Sequence, residues 1–195
     1  MTDTQDPRLI ATRAQALDAA LAILQADGVL AVTHGSVGKA TGISRSTLYR
    51  HWPKIEHLRN DAFKRAASSA KVTPKTDGPL RVDLTWLLSI LVSALSDTPW
   101  GQIAPQVIAA ASTDPQARLV IGEFMEDRIV SVEAIFKAAE GRGELKSNVH
   151  VRTLVELAIA GPYFRKLVLG EPLDPDWLET HVEMICRLAE NPSPD

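Results

Sequence analysis

Apolar side chains recur every three or four residues along nearly the whole chain, and no stretch alternates strictly between apolar and polar. That period belongs to helices, so the pattern predicts an all-α protein. Asp6-Pro7 opens the first helix as N-cap and first-position proline. Ile10, Ala14, Leu17, Leu21 and Leu24 share one face, and Asp27-Gly28 stops it. Two short helices follow, at about 35–41 and 45–52. A fourth starts at Pro53 and runs to about Ala70, with Leu58, Ala62, Phe63 and Ala66 facing inward.

The stretch Val72–Pro79 is rich in helix breakers and marks a boundary. Residues 1–70 then form a small head with its linking fourth helix, 71–79 a connection, 80–190 a larger helical body, and 191–195 a frayed tail. In the body, helices are expected over about 80–96 and 103–111. Asp114-Pro115 caps one reaching Glu140, and Gly141-Arg142-Gly143 ends it. Asn148 can cap the next, which runs to Leu169 before Gly170, with a kink or break at Pro162. Asp174-Pro175 opens the last, to about Glu190.

The segment Thr33–Leu58 carries the clearest chemistry. A short helix, a glycine turn and a second short helix make a helix-turn-helix. Val37 is the inward contact of the first. Gly42 supplies the turn through positive φ, and Ile43 tucks in beside it. Ser44 is the N-cap of the second helix. Steps of about 100° per residue put Leu48 and Trp52 behind that helix and Ser46 and Arg50 in front, with Thr47 and Tyr49 flanking. The front offers hydrogen-bonding groups and a cation but no acid, which is what a phosphate-lined groove requires.

Composition adds limits. The net charge of −3 is unevenly spread. Residues 1–70 carry nine basic and six acidic side chains, so a basic head sits on an acidic body. One cysteine, Cys186, precludes an internal disulfide and reads as a buried small residue in a reducing compartment. No apolar run reaches the ~18 residues of a membrane span, and the polar start does not look like a signal peptide. A cytoplasmic location is expected.

The run S-R-S-T-L-Y-R-H-W at Ser44–Trp52, preceded by V-G-K-A-T-G-I, resembles the DNA-binding segment of the TetR family of transcriptional regulators (TetR/AcrR type). The resemblance extends over Pro7–Ala70. Beyond it, Arg142-Gly143-Glu144-Leu145, Ala160-Gly161-Pro162 and Gly170-Glu171-Pro172-Leu173 are similar to pieces of the family's C-terminal domains. It implies that Thr33, Arg45, Ser46, Thr47, Tyr49, Arg50, His51 and Lys54 meet double-stranded DNA. Arg45, Ser46 and Thr47 would face base edges. Thr33, Tyr49, His51 and Lys54 would touch phosphate. Three positions depart from the family pattern: Ile55 replaces a basic residue, Gly38 an alanine, and His34 an apolar side chain. Gly35 and Gly38 each weaken the first short helix by ~1 kcal/mol relative to Ala.

The small and apolar residues of Val149–Leu169, with Trp177, Leu178, Val182, Met184, Ile185 and Leu188, form a helix pair suited to an intersubunit bundle, and the resemblance implies the same. A homodimer on a palindromic operator is therefore expected. Trp86, Trp100, Phe124, Met125, Arg128 and Tyr163 fall where similar proteins line a cavity for a small, mostly apolar effector. For each aromatic, ordinary core packing is the competing reading.

The sequence carries no catalytic pattern. The five histidines and Cys186 lack metal-ligand spacing, and there is no nucleophile elbow, Walker loop or dinucleotide glycine pattern. Neither a cofactor nor a metal is expected. The function read from the sequence is a DNA-binding regulator, a repressor released by a ligand. The alternatives are an effector-independent DNA-binding dimer and an all-α enzyme.

Overall fold

Nine α-helices and no strand occur among the described residues, 7–68 and 72–190, of the computed structural model. They are α1 (Pro7–Asp27), α2 (His34–Thr41), α3 (Arg45–His51), α4 (Ile55–Ser68), α5 (Leu80–Asp97), α6 (Pro99–Ala110), α7 (Pro115–Gly141), α8 (Val151–Tyr163) and α9 (Pro175–Ala189). The expected cap Asp6, the helix end at Ala70 and the frayed tail Asn191–Asp195 lie outside the described residues. The helices fall into two units: 7–68 with Gln102–Gly122, and 72–101 with 123–190.

In the first unit, α1 packs on α2 and α4. Its buried line is Ala16, Ala20 and Leu24. The line expected from sequence is displaced: Ile10 is exposed, while Ala14, Leu17 and Leu21 are half-buried. Small side chains let helices approach closely, so the larger leucines sit on the flanks. On α4, Leu58, Ala62, Phe63 and Ala66 are all buried, as the period implies.

Helix α6 starts four residues before the expected Ile103. Thr98-Pro99 repeats the cap-plus-proline signal of Asp114-Pro115, and Thr98 Oγ1 accepts from the Trp100 N–H at 3.2 Å. Gly101 is required there. A Cβ on it would stand 1.9 Å from the Leu95 carbonyl oxygen.

One expectation about α8 needs correction. Its N-cap is His150, without a side-chain cap bond, and not Asn148, which is exposed in the preceding turn. The α-helix passes through Pro162 and, two residues on, gives way to a wider π-turn at Phe164–Val168 before Gly170. Proline lacks the N–H that would reach the Ala158 carbonyl four residues back. His181 of α9 replaces it, donating from Nε2 to Ala158 O at 3.0 Å. Gly161 makes room, since a Cβ there would lie 2.4 Å from the His181 ring. The ring also stacks on Trp177, 4.9 Å between centroids. Asp174 caps α9 through the Trp177 N–H at 2.9 Å, as its sequence signal indicates.

This substitution of a side-chain donor for a backbone donor is measurable. His181→Ala orphans a buried carbonyl and is expected to cost about 1–3 kcal/mol in urea unfolding. In a Pro162→Ala background the helix regains its own N–H, and the cost should fall by about 1 kcal/mol. Additive effects would show that His181 does not serve the Ala158 carbonyl.

Candidate nucleic-acid interface

The turn before α3 is built as the sequence demands. Gly42 adopts φ 76° in the left-handed region and donates its N–H to Gly38 O at 2.9 Å. Ser44 is extended, and its Oγ accepts from the Thr47 N–H at 3.2 Å. The Ser46 and Thr47 hydroxyls lie 3.0 and 2.9 Å from the same oxygen. Ahead of α2, Thr33 and Ser36 form a capping box. Thr33 Oγ1 accepts from the Ser36 N–H at 3.0 Å, and Ser36 Oγ from the Thr33 N–H at 2.9 Å.

Leu48 and Trp52 face inward and are fully buried. Trp52 is held at several points. Its Nε1–H donates to Asp61 Oδ2 of α4 at 2.8 Å. Asp61 also pairs with Arg13 of α1, whose guanidinium carbon sits 4.9 Å from the Trp52 ring centroid. The Trp52 carbonyl accepts from His34 Nε2 of α2 at 2.7 Å, so that nitrogen carries the His34 proton. A carboxylate, a cation, an imidazole and a packed ring thus bind the end of α3 to three other helices.

The front of α3 is open. Arg45, Ser46, Tyr49 and Arg50 are exposed, and Thr47 is half-buried. No acidic residue lies between Asp27 and Glu56. Thr33 and Lys54 are exposed on either side of this segment. Tyr49 stacks on His34, 4.2 Å between centroids, which fixes its ring while leaving it 52% exposed. Arg45 lies back against α2: a Cβ on Gly35 would stand 3.2 Å from Arg45 Nη2.

The departures from the family pattern now have physical reasons. His34 is buried because it serves the Trp52 carbonyl and the Tyr49 ring. Gly38 allows the turn to close, since a Cβ there would meet the Ile43 carbonyl oxygen at 3.1 Å. Ile43 itself is only half-buried. Ile55 is half-buried at the start of α4, leaving the cation to Lys54. His51 is half-buried, and its Nε2 is buried without a hydrogen-bond partner among the described residues. Burial, with the charges of Arg50 and Arg13, holds its pKa below the usual imidazole value.

The supports Arg13, Asp61 and His34 were invisible in the sequence, as was Arg59, which donates to the Val32 carbonyl at 3.1 Å. Their partners lie 9 to 48 residues away, and no local pattern announces such pairs.

In the second unit, four of the six expected cavity residues come together. Trp100 is buried, donates its indole N–H to Tyr163 Oη at 3.1 Å, and packs 4.0 Å from Phe124 between centroids. The Arg128 guanidinium lies 4.6 Å from the Phe124 centroid. Burial pushes the Tyr163 phenol up to about 12 and lowers the Arg128 pKa. Arg128 lines a small cavity of ≈ 10 Å³ with Leu87, Ile90 and Leu91, and an outer groove of ≈ 330 Å³ with Thr73 and Val130. Trp86 is half-buried against the Lys75 ammonium, 4.7 Å away, and Met125 is half-buried.

The geometry at His51 sets a pH test. The folded chain takes up the His51 proton less readily than the unfolded chain, whose imidazole titrates near 6.5. This contribution to stability is whole above pH 6.5 and is lost as pH falls through the lowered folded-state value. An NMR titration should place the His51 midpoint below 6.5. A midpoint at or above it contradicts a buried Nε2.

Two family models match the chain. "Bacterial regulatory proteins, tetR family" covers residues 16–62, and "Tetracyclin repressor-like, C-terminal domain" covers 74–185, more than half of the chain. The HTH-type transcriptional regulator AqdR of Rhodococcus erythropolis is 27% identical over 149 residues, 76% of this chain and 70% of that protein. The DNA-binding transcriptional repressor TetR of Mycobacteroides abscessus is 28% identical over 183 residues, 93% of this chain and 95% of that protein. The solved structure of the TetR family transcription regulator SCO0332 superposes with a TM-score of 0.66 at 27% identity, covering 90% of this chain and 96% of that one. With a capped, anchored, acid-free recognition helix in the first unit and family models matching both parts of the sequence, the chain belongs to the tetR family of bacterial regulatory proteins and is a DNA-binding transcriptional regulator.

Proposed function

We propose that the protein is a homodimeric repressor whose α3 helices enter successive major grooves of a palindromic operator and leave it when a small molecule binds. The observation that carries this reading is the front of α3, exposed and without acids, backed by the fixed Trp52. Thr33, Arg45, Ser46, Thr47, Tyr49, Arg50 and Lys54 are the DNA contacts of the proposal, with His51 joining them through Nδ1. Residues 1–70 act as the reading head and 80–190 as the dimerising and effector-binding body. Dimerisation is supported by apolar side chains left exposed on α8, the π-turn and α9: Leu157, Phe164, Val168, Met184 and Leu188. The role is regulatory rather than catalytic, and the cytoplasm, where the DNA lies, is the proposed location. Among the described residues no helix is long and apolar enough to cross a membrane.

The effector site of this reading is the Trp100–Phe124–Arg128–Tyr163 cluster, apolar with a few polar groups. One observation favours a second reading. The small cavity beside Arg128 has room for about one water, which suits a dimer that needs no effector.

Duplexes selected from a random library provide the test. Binding to the selected site should weaken steeply as salt rises, because cations at phosphates release counterions. Arg45→Ala should cost about 1–3 kcal/mol on that site and relax preference at one base pair. Salt-insensitive binding, or none, would overturn the DNA contacts proposed here. Equal weakening on every sequence would move Arg45 to the backbone.

A further inference from the structure

Arg45 is the first residue of α3 and stands on its exposed front. Its side chain does not stay on its own helix. It crosses to the first turn of α2, where Gly35 is the second residue. A Cβ built on Gly35 would lie 3.2 Å from Arg45 Nη2, 3.8 Å from Arg45 Cζ and 3.6 Å from Thr33 Oγ1. The missing side chain thus leaves a notch, and one edge of the guanidinium rests in it beside the residue that caps α2.

No bond holds the guanidinium there. Among the described residues Arg45 makes no hydrogen bond or ion pair. No acidic side chain lies between Asp27 and Glu56 to draw it elsewhere. Its place is therefore set by shape, and the shape is that of position 35. Arginine presents its donors as a rigid planar fork. A fork that meets its partner bidentately must start within about 0.5 Å of the productive place. Glycine is otherwise a poor residue for a helix of eight, because it loses the most backbone freedom on folding. Gly38 has a different cause: a Cβ there would meet the Ile43 carbonyl oxygen, a backbone atom that cannot step aside. Gly35 faces the far end of a flexible side chain, which can. A methyl group at 35 would leave α2 intact and push the guanidinium out of its notch.

We propose that Gly35 is a positioning residue for DNA recognition: by carrying no side chain it seats the Arg45 guanidinium against the first turn of α2, and so fixes where that cation meets the duplex. Gly35 need not touch DNA to act in this way. This positioning rests on the reading of Arg45 as a DNA contact. Where Arg45 reads a base edge, Gly35 shares in setting the preference at that base pair.

The test is a double-mutant cycle in the full-length protein: Gly35→Ala, Arg45→Ala and the two together. Each is measured for urea unfolding, for affinity on the selected duplex, and for affinity on duplexes changed one base pair at a time. Gly35→Ala should unfold at the same or a higher urea concentration. It should weaken the selected duplex by about threefold or more, and relax preference at the base pair that Arg45→Ala relaxes. With alanine already at 45, the same change at 35 should alter affinity by less than about twofold. Equal losses in both backgrounds overturn the proposal, since the added methyl would then act on DNA or on α2 by itself. Unfolding at clearly lower urea overturns it too, because Gly35 would then be a requirement of the fold. So does a preference that Arg45→Ala relaxes and Gly35→Ala leaves unchanged. The two readings part in one further result. If Arg45→Ala weakens every sequence alike while the cycle stays coupled, the base-edge role of Arg45 fails and the positioning by Gly35 stands. If no duplex is selected at all, the operator reading fails and takes this positioning with it.

Discussion

Trp52 is the constraint on which the reading surface depends. An isolated helix of seven residues is unstable in water, and α3 has no more than that. Its geometry must come from outside itself. The buried indole supplies packing, its N–H is met by Asp61, and its carbonyl is met by His34. Asp61 is in turn paired with Arg13, so α1, α2 and α4 all bear on the last residue of the motif. Without that attachment the chemistry of the front would have no fixed position against a groove.

The same logic explains residues that look unfavourable one by one. Glycines at 35 and 38 lower the helix propensity of α2, yet each stands where a Cβ would press on Arg45 or on the Ile43 carbonyl. His34 gives up an apolar core position and returns two contacts, one of which orients Tyr49. In the second unit, Gly161 and Pro162 open a notch and free a carbonyl, and His181 fills both. In each case a local cost is offset by a tertiary bond to the same few atoms.

Much of this was readable beforehand where the cause is local. Gly42, Ser44 and Asp174 act on backbone groups within three or four residues, so type and spacing were enough. The all-α period and the inward pair Leu48 and Trp52 were legible for the same reason. On α1 the period of the large apolar residues does not mark the buried line, because close approach favours the small Ala16 and Ala20. The α6 start was within reach, since Thr98-Pro99 repeats a signal used elsewhere. The network Arg13–Asp61–Trp52 and the buried Nε2 of His51 were out of reach. Each depends on where distant segments meet.

In the proposed function α3 offers its front to DNA while its back stays fixed on Trp52. The most direct measurement is an NMR titration of the protein with a selected duplex, observing the backbone amides of Ser46–Arg50 and the Trp52 indole N–H together. Large shifts at the amides and an indole resonance that stays in place are expected. Silent amides, or an indole that moves as far as they do, would contradict that reading.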